Sequence, residues 1–241
     1  MLPPRLPALP PSPLRFRDLL LLVVIVAASI FTLPLLLTLF APGTDFTALP
    51  VVAGLFVGQS VLMLLLTWLA VLRPNRLSLA EIGLRPTYQG WYRYAVAGGV
   101  LCVPAVSAAN LLLQTLMGTP LENPQLQALA PQGFDWASLI VMLLLVGVLA
   151  PFVEEIIFRG LLLGWLRRRL GFVYAAPVSA ILFAVSHGLP QLVPALFIMG
   201  LVLAAFAWRS GSLLPGMVVH GVFNSIMTLM LYVGLAGMEG F

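Results

Sequence analysis

Charge is scarce in this chain. Only 8% of its 241 residues are Asp, Glu, Lys or Arg, against 61% hydrophobic, which leaves too little polar surface to cover a soluble domain. Lysine is absent; the twelve basic residues are all arginine. They form no basic face interleaved with aromatics, so the pI of about 9.8 does not point to nucleic acid. The single cysteine, Cys102, lies in an apolar stretch; an internal disulfide is excluded and the redox compartment stays open. No repeat of fixed period runs through the chain, which weighs against a transporter built from inverted repeats. Gly-x-Ser-x-Gly and His-Glu-x-x-His are both missing, and with them the familiar serine-hydrolase and zinc-protease signatures.

Long apolar runs are present instead. They predict an all-α fold, a polytopic transmembrane bundle of about seven spans. The spans are expected over Leu19 to Phe40, Leu49 to Leu72, Tyr94 to Met117 (interrupted by Gly98, Gly99 and Pro104), Ala137 to Leu166, Phe172 to His187, Gln191 to Trp208 and Leu213 to Gly234. A short or re-entrant eighth segment would fall near 188–194 or within 94–117. The first run is too long for a signal-peptide core and lacks a small-residue cleavage site, so it reads as a retained anchor. Residues 1–17, rich in Pro and holding Arg5, Arg15 and Arg17, read as a disordered or polyproline-like tail. The division expected is a tail to 17, three N-terminal spans over 18–136, and a functional half over 137–241. Arginines fall in the tail, 73–93, 167–169 and 209, whereas loops 41–47 and 118–136 hold acidic residues and no Arg. The positive-inside rule then puts the N-terminus in the cytoplasm and the C-terminus outside.

One stretch breaks the apolar pattern. Glu154, Glu155 and Arg159 lie inside the fourth run, and ionisable groups at membrane depth cost several kcal/mol unless compensated, which makes them a functional-site hypothesis. Adjacent helical residues point about 100° apart, so the two carboxylates do not share a face. Glu155 and Arg159 are four apart with Glu first, the favourable order for an ion pair. Glu154 has Phe158 one turn on and is left free for chemistry.

The two histidines, His187 and His220, lie in late spans. At about 1.5 Å per residue from the nearest arginine-marked end, Glu154 lies roughly 20 Å deep, His187 roughly 24 Å and His220 roughly 16 Å. Helices rising from one face can therefore gather them. Phe183 precedes His187 by one turn and can brace its ring; Asn224 follows His220 on the same face. Gly221, and the pair Gly160 and Gly164, offer small surfaces for close helix approach. A carboxylate and an imidazole around one water make a general base, and a second His beside an Asn can donate to an oxyanion, an assembly suited to amide hydrolysis. Two His and a Glu can also hold zinc with water as fourth ligand. A non-proteolytic reading, a proton-linked transporter or an adaptor using the same Glu/His cluster, fits these residues too.

Glu154-Glu155-x-x-x-Arg159, Phe183-x-x-x-His187 and His220-x-x-x-Asn224, in this order and in late spans, resemble the three motifs of the CPBP family, the type II CAAX prenyl endopeptidases and bacteriocin-processing membrane proteases. The resemblance covers roughly 137–235. It implies an intramembrane endopeptidase in which Glu154 and His187 activate water, His220 and Asn224 form the oxyanion site, and Glu155, Arg159 and Phe183 support them. Its expected partners are the bilayer and a membrane-associated peptide or protein, prenylated or not, and its expected location is the plasma (inner) membrane of a prokaryote. No cofactor is expected, because Asn224 is a poor zinc ligand and a good donor; a zinc ion, were one used, would sit on Glu154, His187 and His220.

Overall fold

A computed structural model describes residues 3–6, 12–118 and 134–239. Every regular element among them is helical. Helix α1 is Phe16–Phe40, α2 is Leu49–Leu72 and α3 is Gln89–Met117. The next helical run, Trp136–Val185, is 50 residues long and is broken at Gly171, where φ 70° and ψ 169° leave helical space. We call its limbs α4 (136–170) and α5 (172–185). Helices α6, Val193–Ser210, and α7, Leu214–Glu239, complete the bundle.

Gly171 is where the chain reverses. A straight helix would hold Phe158 and Phe183 about 37 Å apart, yet their ring centroids are 5.3 Å apart. The Ser179 hydroxyl also donates to the Phe158 carbonyl at 3.2 Å. A positive φ of this kind is costly for any residue but glycine. Six helices are long and apolar enough to cross a membrane, close to the seven read from the sequence. The difference lies here: α5 is only about 21 Å long, less than a hydrocarbon core of about 30 Å, and stops at the depth of the polar cluster. The helix α3 runs unbroken through Gly98, Gly99 and Pro104, and 190–192 is a single 3₁₀ turn, so neither proposed eighth segment is present.

The outer faces of these helices stay apolar: Phe40, Leu116 and Val173 are among the most exposed side chains, as a lipid-facing surface requires. Leu161, Phe183, Met199, Leu203 and Val219 form the interior.

All four arginine-bearing segments meet at one end. The tail is docked there in its described residues, where the sequence suggests disorder. Trp91 donates to the Pro4 carbonyl at 3.0 Å, Leu6 N–H to Ser210 O at 3.3 Å and Arg169 to the Leu14 carbonyl at 3.3 Å. The Leu14 side chain is buried, and Arg5 lies over the Trp208 ring at 5.1 Å. These hydrogen bonds and apolar contacts offset the entropy that would otherwise keep a Pro-rich tail free. The loop after α2 folds over the α6–α7 turn, with Arg85 Nε donating to Gly211 O at 3.0 Å and Leu213 N–H to Gly83 O at 2.8 Å.

Candidate active site

The floor of the site is built by two widened turns of α4. The helix loosens to i→i+5 pairing over Leu145–Leu149 and again over Glu155–Leu162, a local geometry that often marks functional positions. Between them, Glu154 ends a short regular turn. Glu155 and Arg159 form the ion pair their spacing predicts, Nη1 to Oε1 at 2.9 Å, both side chains sealed from solvent. Glu154, by contrast, keeps 26% of its side chain exposed, so the two neighbours are indeed separated into a buried and an open carboxylate.

Helix α5 ends by presenting His187. Its Nδ1 lies 2.9 Å from the Phe183 carbonyl. A carbonyl only accepts, so Nδ1 is the donor in this contact. Phe183, fully buried, meets both imidazoles edge-on, with centroids 4.9 Å from His187 and 5.8 Å from His220.

Helix α7 delivers His220 between the two carboxylates. Its Nε2 is 3.7 Å from Glu154 Oε2 and its Nδ1 is 3.5 Å from Glu155 Oε1. The imidazole beside Glu154 is therefore His220; His187 makes no ion pair with either carboxylate among the described residues. Depth estimates put both rings at the same level and do not resolve which way each helix is rotated. One turn after His220, Asn224 donates one amide hydrogen to the Val146 carbonyl at 2.9 Å, a group in the first widened turn. Among the described residues its amide makes no other hydrogen bond.

Close approach of α7 to α4 makes this possible. A Cβ on Gly221 would lie 2.5 Å from the Gly147 carbonyl oxygen, and one on Gly216 would lie 2.9 Å from Glu155 Oε2. Gly160 instead packs on the loop at Ile82, and a Cβ on Gly164 would touch nothing. The expected Gly160–Gly164 contact between helices is thus not formed, because that face of α4 looks toward the loop after α2.

Glu154, His187, His220 and Asn224 all line one cavity of about 430 Å³. Its wall also includes Ser107 and Asn110 of α3, which the sequence reading passed over. Their signal was present: an amide and a hydroxyl three apart in an otherwise apolar span. Among the described residues, no three His, Cys, Asp or Glu side chains are grouped closely enough to hold a metal ion.

Residues 136–226 match the family model described as type II CAAX prenyl endopeptidase Rce1-like. The chain is 23% identical to the membrane-embedded CAAX protease MroQ of Staphylococcus aureus (strain USA300), over 223 residues covering 87% of each sequence. No solved structure matches. The matched segment contains all four cavity-lining residues of the predicted motifs and leaves α1, α2 and α3 outside it.

Proposed function

We propose, from the match of residues 136–226 to the Rce1-like family model and from six helices long and apolar enough to cross a membrane, that the chain is an intramembrane endopeptidase in which Glu154 activates water against a peptide bond. The observation that carries this reading is the convergence of Glu154, His187, His220 and Asn224 on one cavity.

In this mechanism a water occupies the space between Glu154 and the imidazoles. Glu154 takes its proton as the water oxygen attacks the carbonyl carbon, and His187 Nε2 accepts a hydrogen bond from the same water. The His220 Nε2 edge and the second Asn224 amide hydrogen face the developing oxyanion. The C–N bond then breaks, and the proton on Glu154 leaves with the amine. Glu155 and Arg159 hold the His220 ring and the Phe183 ring in place and touch no substrate. No metal enters any step.

The substrate class proposed is a membrane-associated protein or peptide precursor, with CAAX termini the first candidates, as the name of the Staphylococcus relative suggests, and prenylated ones among them, as the family description suggests. The gathering of the arginines at one end supports reading that end as cytoplasmic, in the plasma membrane of a prokaryote.

The test is mass spectrometry of membrane proteins from cells carrying the wild-type chain or Glu154→Ala. New termini that vanish with the substitution, at equal protein level in the membrane, are expected. Identical termini in both would overturn the reading.

A further inference from the structure

The cavity occupies one half of the bundle. Counted from the arginine-bearing end of each helix, Glu154 stands roughly 20 Å along α4. The wall residues Phe56, Val106 and Val146 stand roughly 24 to 31 Å along α2, α3 and α4 on the same count. Between Glu154 and the arginine end the interior is filled. Glu155, Phe183, Leu203 and Val219 are fully buried there, and Arg159 nearly so. Helices α3 and α7 touch at this level, where a Cβ on Gly99 would lie 2.7 Å from the Val219 carbonyl oxygen. Further along, the same two helices line the cavity with Val106, Phe223 and Met227. The arginine end itself is crossed by the loop after α2 and by the tail.

Glu154 nevertheless keeps 26% of its side chain exposed, and it lines the cavity. A path to it has to exist, and packed side chains close the arginine side. The path therefore runs through the other half of the bundle. Its walls carry Phe56, Val106, Leu196 and Met227, and apart from Glu154 no Asp, Glu, Lys or Arg among the described residues lines them. A charged segment would lose its hydration there without a partner, at a cost an apolar one escapes.

We propose that the segment to be cut reaches Glu154 from the end opposite the arginines, as an apolar stretch of a protein or peptide that crosses or leaves the membrane. This rests on the endopeptidase reading and narrows its substrate. With the arginine end cytoplasmic by the positive-inside rule, the bond broken lies toward the extracytoplasmic side. Membrane proteins and exported precursors with an apolar stretch on that side then come ahead of CAAX termini held at the cytoplasmic surface.

The experiment reads the opening separately from cleavage. In a chain carrying Cys102→Ala, one cysteine at a time is placed in the cavity wall, as Met227→Cys or Ser107→Cys. Pro42→Cys, in the loop before α2, and Leu79→Cys, in the loop after it, mark the two ends. Spheroplasts and everted membrane vesicles are treated with a charged, membrane-impermeant thiol reagent. Pro42→Cys and both cavity variants are expected to react in spheroplasts, and Leu79→Cys only in everted vesicles. Cavity variants that react only alongside Leu79→Cys would put the opening at the arginine end and overturn the proposal. No reaction of either cavity variant from either side would overturn it too, as would Pro42→Cys reacting only in everted vesicles. Modifying Met227→Cys in spheroplasts should also abolish the new termini that depend on Glu154. Termini that persist after full modification would show another route for the substrate and refute this one. If the cavity cysteines react as expected but no termini ever depend on Glu154, the protease reading falls and the position of the opening stands.

Discussion

The Arg159 guanidinium lies 4.3 Å from the centroid of the Phe183 ring, and the same ring stands edge-on to His187 and His220. One fully buried aromatic thus connects the structural ion pair to both imidazoles. The cation over its face and the rings at its edge suit the charge distribution of an aromatic, negative on the face and positive at the rim.

Truncating Phe183 should therefore cost more than its volume. Phe183→Ala is expected to destabilise by about 3–5 kcal/mol, as for other buried aromatics. Phe183→Leu should keep most of the stability and still lose proteolysis, because both imidazoles lose their brace. Thermal unfolding in detergent and product formation, measured on both variants, separate the two effects. Full activity in Phe183→Leu would show that the ring is only packing.

Arg159→Met removes one partner of a pair with no exposure on either side. An unpaired buried carboxylate typically costs about 3–5 kcal/mol. Arg159→Lys keeps the charge but loses the flat group that lies on Phe183. It should fall between the wild type and Arg159→Met in unfolding temperature, and an Arg159→Met chain as stable as wild type would contradict the role assigned to the pair.

The approach of α7 to α4 gives a sharper steric test. On Gly221 an added methyl would press on the Gly147 backbone oxygen, at 2.5 Å, and backbone yields poorly. Gly221→Ala is expected to cost about 1–3 kcal/mol as overpacking and to reduce activity, since His220 and Asn224 ride on the displaced helix. Gly164→Ala, whose methyl would meet nothing, should leave both stability and activity near wild type. Unfolding temperatures of the two variants, measured side by side, check this; equal values would refute the close contact.

How far the site could be read from the sequence depended on the kind of relation involved. The Glu155–Arg159 pair was legible because i,i+4 geometry is local. So was the shared depth of Glu154, His187 and His220, which needs only the rise per residue. The neighbour of Glu154 was not, because helix rotation is set by packing. The partner of Asn224 was hidden for another reason. Val146 lies in a turn widened to i→i+5 pairing, and no residue pattern announces such a turn. The reversal at Gly171 was half-visible: the triple arginine marked a membrane edge, while the short α5 limb depends on where the chain meets the cavity. Asn110 was not legible because a lone uncharged amide hardly interrupts the apolar run of α3.

The pH response outside the membrane should include the cap of α4. Asp135 accepts from the Ser138 N–H at 2.7 Å, and that bond, with help from the Ser138 hydroxyl, holds its carboxyl below the usual range. A lowered folded-state pKa contributes stability above the unfolded value and loses it as pH falls through the folded one. The helix start should therefore weaken below about pH 4, near the ordinary carboxylate value. Asp135→Asn keeps a capping oxygen without the charge, so its unfolding temperature should vary less with pH than that of the wild type across this range. Parallel pH curves for the two would remove Asp135 from the account.

Chelation is the remaining test of the chemistry. His220 Nε2 and Glu154 Oε2 stand 3.7 Å apart, and no third His, Cys, Asp or Glu among the described residues completes a metal-binding group with them. Zinc in a catalytic site takes three protein ligands. A mechanism resting on Glu154 and imidazoles alone should keep its rate after dialysis against a strong chelator, and should gain nothing from added zinc. Glu154→Gln should abolish turnover in either condition, because the amide takes no proton from water. Loss of activity on chelation, restored by zinc, would replace the glutamate mechanism with a metal-bound one.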